Sequence, residues 1–150
     1  MTGGRVFAFY LVLGSILMWR LAPVWFEAMP GTAVDHDVVS FVWNLWWTRH
    51  ALVDLHQSPL VTNAVFAPFT LDLRLHTFSL LHGLVSVPLQ PLMGVVGAFN
   101  GLTLVTIAAN GWAVWRLTGR WLGAHAGRSG PVLAGAYAAL APAALFHLRV

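Results

Sequence analysis

Charged residues occupy only 9% of the 150 positions in this sequence, against roughly 25% in soluble globular domains. So few charges cannot cover a water-facing surface, and lipid is expected to cover much of it instead. Cysteine is absent, which excludes disulfides, thiol catalysis and cysteine-ligated zinc. Lysine is absent as well: the eight basic residues are all arginine, and against five acids they leave a formal net charge of +3. These arginines are scattered, with no basic stripe carrying interleaved aromatics, so nucleic acid is not expected as a partner. There is no Gly-rich phosphate loop, no His-Glu-x-x-His and no Gly-x-Ser-x-Gly, which removes the templates of soluble NTPases, zinc proteases and serine hydrolases. Arginine as the sole long base, amid abundant Ala, Gly, Val and Leu, is the usage of a GC-rich bacterial genome.

Hydrophobic residues, at 58% of the chain, dominate what is there, and they gather into long runs. A stretch of about 17–20 apolar residues is what a bilayer's hydrocarbon core requires. The first such run covers residues 6–22, with Trp19 and Arg20 near its far end as an interfacial aromatic and a snorkelling cation. A cleaved signal peptide ending at Gly31-Thr32-Ala33 is the rival reading, but the apolar run is longer than a signal's usual 7–15 residues and that site is distant. Further runs cover residues 77–96, bent by Pro88 and Pro91, then 98–117, and 131–148, kinked near Pro142. The expected fold is therefore all-α: a polytopic transmembrane helical bundle of about four spans, in one domain over residues 1–150. Arg5 and the N-terminal amine favour an inside N-terminus, which places the loop of residues 23–75 outside. The Arg116/Arg120/Arg128 group then also falls outside, against the positive-inside tendency.

All five carboxylates (Glu27, Asp35, Asp37, Asp54 and Asp72) lie in that loop. Within it, residues 38–54 read as a helix for which Asp37 is the expected N-cap. At 100° per residue, Asp37, Ser40, Asn44 and Thr48 share an arc of roughly 80°. The remaining surface is Val, Phe, Leu and Trp, so the helix belongs at or in the membrane interface. Trp43, Trp46 and Trp47 admit two uses, as a stacking platform for sugar rings or as interface anchors, of which anchoring is the more frequent. Residues 58–74, broken by Pro59 and Pro68, read as an ordered loop.

Asp35-His36-Asp37 is the sharpest local feature. Two carboxylates two residues apart, flanking an imidazole, can hold a divalent cation or deprotonate a hydroxyl; the plainer reading is a helix cap and a solvated acid. The stripe Ser40, Asn44, Thr48, like Asn100, Thr103, Thr106 and Asn110 further on, also suits hydrogen bonding between packed helices. His76, His82 and His147 stand in or beside spans, where ionisable residues are functional candidates. No two histidines are four apart, so a zinc site is not expected.

The order of these features resembles the N-terminal part of bacterial GT-C-type glycosyltransferases, in a large polytopic branch common in actinobacteria. The strings that carry the resemblance are Asp35-His36-Asp37, Trp43-Asn44-Leu45-Trp46-Trp47 and Asn63-Ala64-Val65-Phe66-Ala67-Pro68. His76, Asn100, Arg116-Leu117-Thr118-Gly119, and Ala141-Pro142 with His147 follow in order. Such enzymes transfer a sugar from a polyprenyl-phosphate-linked donor to an acceptor at the outer face of the plasma membrane, in building the cell envelope. The resemblance implies a catalytic base or metal-associated carboxylate at Asp35 or Asp37, with Asp37 favoured because it shares a face with the polar stripe. It implies a substrate-binding set of His36, Asn44, Arg49, Arg74, His76 and His147, the arginines as phosphate partners. A divalent cation (Mg or Mn) would sit on Asp35 and Asp37. Family members run to several hundred residues with many more spans, so the expectation is a truncated frame that meets further membrane protein and is inactive alone. The alternative expectation is a non-catalytic membrane subunit or scaffold whose polar stripes serve only helix packing. A transporter ranks below both, because apart from Arg20 and Arg116 near span ends the spans carry no charge.

Overall fold

Helix-forming runs interrupted by proline and glycine produce, among the described residues of the computed structural model, five α-helices: α1 (Gly3–Leu17), α2 (His36–Arg49), α3 (Leu80–Ser86), α4 (Gln90–Leu122) and α5 (Gly130–Ala139). A two-residue antiparallel pair, β1 (Val61–Thr62) and β2 (Leu71–Asp72), lies between α2 and α3, in register Val61 with Asp72 and Thr62 with Leu71. The structure describes residues 2–31, 36–127 and 129–141, with the backbone alone described for His36, Ala124 and Ala126. The all-α expectation holds, since helices dominate and the described strands amount to one short ladder. The chain divides into two units, Met1–Thr32 with Asn100–Val150, and Ala33–Phe99.

In the first unit α1 is apolar on every side beyond Arg5, which is exposed in its first turn. Val6, Tyr10 and Gly14, spaced four apart, are buried, while Phe9, Val12 and Ile16 on the opposite side are exposed. The hydroxyl of Ser15 donates to Leu11 O at 2.9 Å within its own helix, so that side presents no unpaired side-chain polar group there. A helix that is hydrophobic all round suits a lipid or protein interior rather than water. The α-helical geometry stops at Leu17, and Trp19–Val24 continues as 3-10 helix. Pro23 explains the change: its ring would meet the carbonyl of Trp19 in a continued α-helix. The expected span of residues 6–22 is thus α1, about 22 Å long, plus most of this tighter extension.

Tyr10 is wedged between α4 and α5. A Cβ on Gly111 would stand 2.8 Å from the Tyr10 ring and 3.1 Å from Gly135 O, and one on Gly135 would overlap the Tyr10 hydroxyl and Gly111 O. The Tyr10 hydroxyl donates to Val132 O at 2.9 Å. Asn100 donates from Nδ2 to Trp25 O at 2.8 Å and Ala28 O at 2.9 Å, tying the segment after α1 to α4.

Among the described residues α4 is the one helix long and apolar enough to cross a membrane, and only 28% of its most apolar stretch is buried. Its 33 residues rise about 50 Å, with a break at Gly94, whose φ of 71° and ψ of 171° leave the helical region. The chain boundaries here differ from those read in the sequence. Residues 77–96 do not form one helix: α3 ends at Ser86, a turn containing Pro88 follows, and α4 starts at Gln90. Proline at the second position of α4, Pro91, falls in a first turn whose N–H groups have no helical partner anyway. The run of 98–117 lies inside α4, which continues five residues further because no proline interrupts it. Of the run 131–148, α5 accounts for the part to Ala139, and residues 142–148 lie outside the described residues.

In the second unit α2 packs on α3. The helix read over 38–54 is present, as α2 followed by a π turn over His50–Asp54. Asp37 is not its N-cap: α2 starts at His36, so Asp37 sits inside the first turn, where a carboxylate meets the positive end of the helix dipole. Trp47, Ala51 and Leu73 form the core, with Trp43, Leu71 and Phe78 against it. Trp47 Nε1 donates to Pro59 O at 3.0 Å, which fixes the loop after α2. A Cβ on Gly83 of α3 would overlap the Thr48 side chain, so glycine sets this crossing too.

The kind of neighbour decides what each glycine tolerates. Gly14→Ala meets only the movable end of Leu104 and a Cγ2 of Ile107, whereas Gly135→Ala meets backbone and a held ring. Each substitution gains about 1 kcal/mol of helix propensity, but overpacking costs about 1–3 kcal/mol where nothing can yield. Gly135→Ala is therefore expected to destabilise the protein in detergent and Gly14→Ala to be near neutral, read by helical circular dichroism on denaturant titration. Equal costs at the two sites would contradict this packing.

Candidate functional site

The second unit contains a cleft of about 790 Å³ between α2 and the segment from β1 to His76. One wall is the first half of α2, through Val39, Ser40 and Trp43. The opposite wall comes from Val65 and Phe66 of the β1–β2 loop and from Asp72, Leu75 and His76 after it. Helical spacing brings Ser40 and Trp43 to one side of α2, and the strand pairing folds residues 64–66 back beside 71–76. The lining is mostly apolar, with a hydroxyl, a carboxylate and an imidazole as its polar groups.

Trp43 stacks on Trp47 with centroids 5.8 Å apart and planes 1° from parallel. The buried Trp47 thereby holds the indole that lines the cleft. Trp46 stands apart from that pair, 41% exposed and stacked on His50 at 4.9 Å. The three tryptophans divide into a core anchor, a cleft wall and an exposed ring.

Asp72 and Arg74 form the electrostatic feature of the cleft edge. Asp72 Oδ1 accepts from Arg74 N at 3.0 Å, capping the 3-10 turn Leu73–Leu75. Arg74 Nε donates to both carboxylate oxygens at 2.9 and 3.0 Å, and Nη2 also donates to Oδ2. This guanidinium, through its hydrogen bonds first and its charge after, holds the Asp72 carboxyl at about 2, and Arg74 is raised in turn. The pair is exposed, so its weight lies in ordering the loop more than in stability.

The residues singled out in the sequence fall into three groups. Asp37, Arg74 and His76 are brought to the same region: His76 lines the cleft, Arg74 is paired to the lining Asp72, and Asp37 is exposed one helical turn before Ser40. Two others are committed elsewhere. Asn44 is fully buried and donates from Nδ2 to Thr77 O at 3.1 Å, while Thr48 Oγ1 donates to Asn44 O at 2.8 Å, so this part of the stripe serves packing. Arg49 lies 3.7 Å from Asp54, at the far end of α2, about 18 Å along the axis from Asp37. There His50 Nδ1 also meets Asp54 at 2.8 Å, and the His50 hydrogen bond, with Arg49 adding to it, holds the Asp54 carboxyl below its ordinary range. Asp35, the His36 side chain and His147 lie outside the described residues.

Asp72 does not stand out in the sequence as a site residue, although Asp72-Leu73-Arg74 places opposite charges two apart. Ser40 reads there only as part of the stripe. For a divalent cation, the described residues supply Asp37 alone from the Asp35-His36-Asp37 string, and no group of three His, Asp or Glu side chains capable of holding a metal occurs among them.

No protein-family model matches the chain, and no curated protein or solved structure matches it either.

The Asp72 titration is a direct check on the cleft edge. With Arg74→Gln, the Asp72 midpoint is expected to rise from about 2 towards 3.8, followed by carboxyl-carbon NMR. The sign follows from linkage: a carboxylate depressed in the folded state favours folding above its unfolded value, and that contribution disappears as pH falls through about 2. The loop in the native chain should therefore keep its form at pH 4 and loosen only in stronger acid.

Proposed function

We propose that this chain carries the first external loop of a GT-C-type membrane glycosyltransferase, acting on a polyprenyl-phosphate-linked sugar at the outer face of the bacterial plasma membrane. The observation that carries the reading is the cleft, which gathers Ser40, Trp43, Asp72 and His76 one helical turn from Asp37. The motif order in the sequence supports it independently. Membrane placement is supported by α4, long and apolar enough to cross, and by the exposed apolar side of α1. On this reading α1 with its 3-10 extension, α4 and α5 belong to a multi-pass bundle of about four spans.

The chemistry asks little of the protein beyond position and one proton acceptor. Asp37 takes the proton of an acceptor hydroxyl as its oxygen attacks the anomeric carbon. The bond from that carbon to the donor phosphate oxygen breaks, and the phosphate leaves with the electron pair. General-base assistance of this kind contributes about 10²–10⁴-fold. Trp43 offers an aromatic wall to the sugar's C–H face, and His76 supplies a hydrogen-bond donor for phosphate oxygens, while Arg74, held by Asp72 through Nε and Nη2, orders the cleft edge beside it. Ser40 is a further hydroxyl on the same side of α2 as Asp37.

A second reading, a non-catalytic membrane subunit, is favoured by the commitment of Asn44 and Thr48 to packing. The two separate in one experiment. In membranes of cells expressing the complete reading frame, Asp37→Ala is expected to lower transfer from a radiolabelled polyprenyl-phosphate sugar by about 10²–10⁴-fold, with Asp35→Ala tested beside it. Transfer that survives both changes, with the protein co-purifying with a membrane partner, would replace the enzyme by the subunit.

A further inference from the structure

Between Asp54 and Asp72 the sequence has no Asp, Glu, Lys or Arg. Its middle carries three large apolar residues held in the open: Val65 at 49%, Phe66 at 60% and Phe69 at 75% exposure. This exposure belongs to an ordered loop. The β1–β2 pairing closes its base, Leu73 N donates to Leu60 O at 2.8 Å, and Phe69 N donates to Phe66 O at 2.8 Å. Thr62 is buried and its Oγ1 accepts from Ala64 N at 3.1 Å. A loop built this way keeps its rings outward, and something apolar must cover them.

We propose that the tip of this loop, Asn63 to Thr70, inserts into the interfacial layer of the bilayer, with Phe66 and Phe69 at the acyl-chain boundary. The inference rests on the reading of the chain as a membrane protein and adds a second, loop-borne point of attachment to it. Lipid suits the tip better than a protein surface does. A stable protein interface needs about 800 Å² from each partner and a polar rim, which a narrow tip with Asn63 and Thr70 as its polar side chains does not offer. Interfacial anchoring needs only a few aromatic or aliphatic side chains at headgroup depth. The attachment is apolar in origin. No cation lies within the tip, and Arg74 at its base is already paired with Asp72, so anionic lipid is not required.

The absence of cysteine allows a direct test with single labelled sites in the full chain. Phe69→Cys, and the gentler Thr70→Cys in case the first disturbs the loop, would carry a nitrobenzoxadiazole probe in phosphatidylcholine vesicles. Val105→Cys, on the exposed side of α4, reports membrane insertion itself. The expected result is blue-shifted emission at the tip, quenching by lipids with a nitroxide near the headgroup, and weak quenching by aqueous iodide. Adding phosphatidylglycerol should leave these readings unchanged. Strong iodide quenching at the tip, with lipid quenching kept at Val105, overturns the inference and leaves the membrane reading standing. Loss of lipid quenching at all sites overturns both. Protection from iodide and nitroxide alike would assign the tip to a protein partner or a second copy, and a requirement for phosphatidylglycerol would make the attachment electrostatic; either result overturns the proposal.

Discussion

The ring of Tyr10, seated between Gly111 and Gly135 with its hydroxyl on Val132 O, sets the distance at which α1, α4 and α5 pack. Everything else in that unit follows from the closeness. Where lipid surrounds a bundle, apolar side chains gain nothing by leaving lipid for one another, so close packing and interhelical hydrogen bonds must hold helices together. Glycine supplies the first by letting a ring reach the backbone of the next helix. The tyrosine hydroxyl and the Asn100 amide supply the second. The other unit is closely packed too, with Gly83 against Thr48 and with Gln90 Nε2 donating to Leu45 O at 2.8 Å and Ser86 Oγ at 2.9 Å.

Along α2 one polar stripe has two duties. Its first turn and a half, from Asp37 to Ser40, lies at the cleft or in the open, and its second half, Asn44 and Thr48, is buried against the segment leading to α3. Periodicity alone could place these residues on one face but could not divide the face, because what covers each turn is decided by the chain some thirty residues later. Asn44 is the sharper case. Its Nδ2 donates to Thr77 O, so exchanging its amide nitrogen and oxygen would set two acceptors against each other. Its buried Oδ1 has no partner among the described residues, a cost of about 1–3 kcal/mol that tight packing of α2 on α3 must offset.

How much was legible depended on range. The run over 38–54 announced its helix through local content, and the apolar runs announced α1, α4 and α5. What failed was phrasing within a continuous apolar stretch: residues 77–117 read as two spans parted near Gly97, whereas the chain turns at Val87–Leu89 and bends again at Gly94. Proline and glycine there offered several equally good break points, and packing chose among them. The Asp37 cap failed because α2 begins two residues earlier than read, at His36, and Asp serves both as a cap and in the first turn. The cleft itself was not legible. It exists because β1 pairs with β2, and a ladder of two residues leaves no periodic trace.

Charge scarcity, the first property visible in the chain, also bears on which carboxylate suits the proposed chemistry. Of the carboxylates in the described residues, Asp54 is held by His50 and Arg49, and Asp72 by Arg74. Both pairs are local in sequence and hold their carboxyls below the ordinary range, which makes them weaker proton acceptors. Glu27 and Asp37 are in no ion pair among the described residues. Glu27 follows the 3-10 turn after α1, in the unit without the cleft. Asp37 stands at the positive end of α2, exposed to solvent, one turn from the hydroxyl of Ser40 at the cleft wall. On the proposed reading, the general base must be a carboxylate not already held by a guanidinium, open to the acceptor hydroxyl from outside the bilayer, and placed beside the cleft. Asp37 is the described carboxylate that suits this proposed role, since no ion pair among the described residues holds it and it stands one turn from the cleft wall.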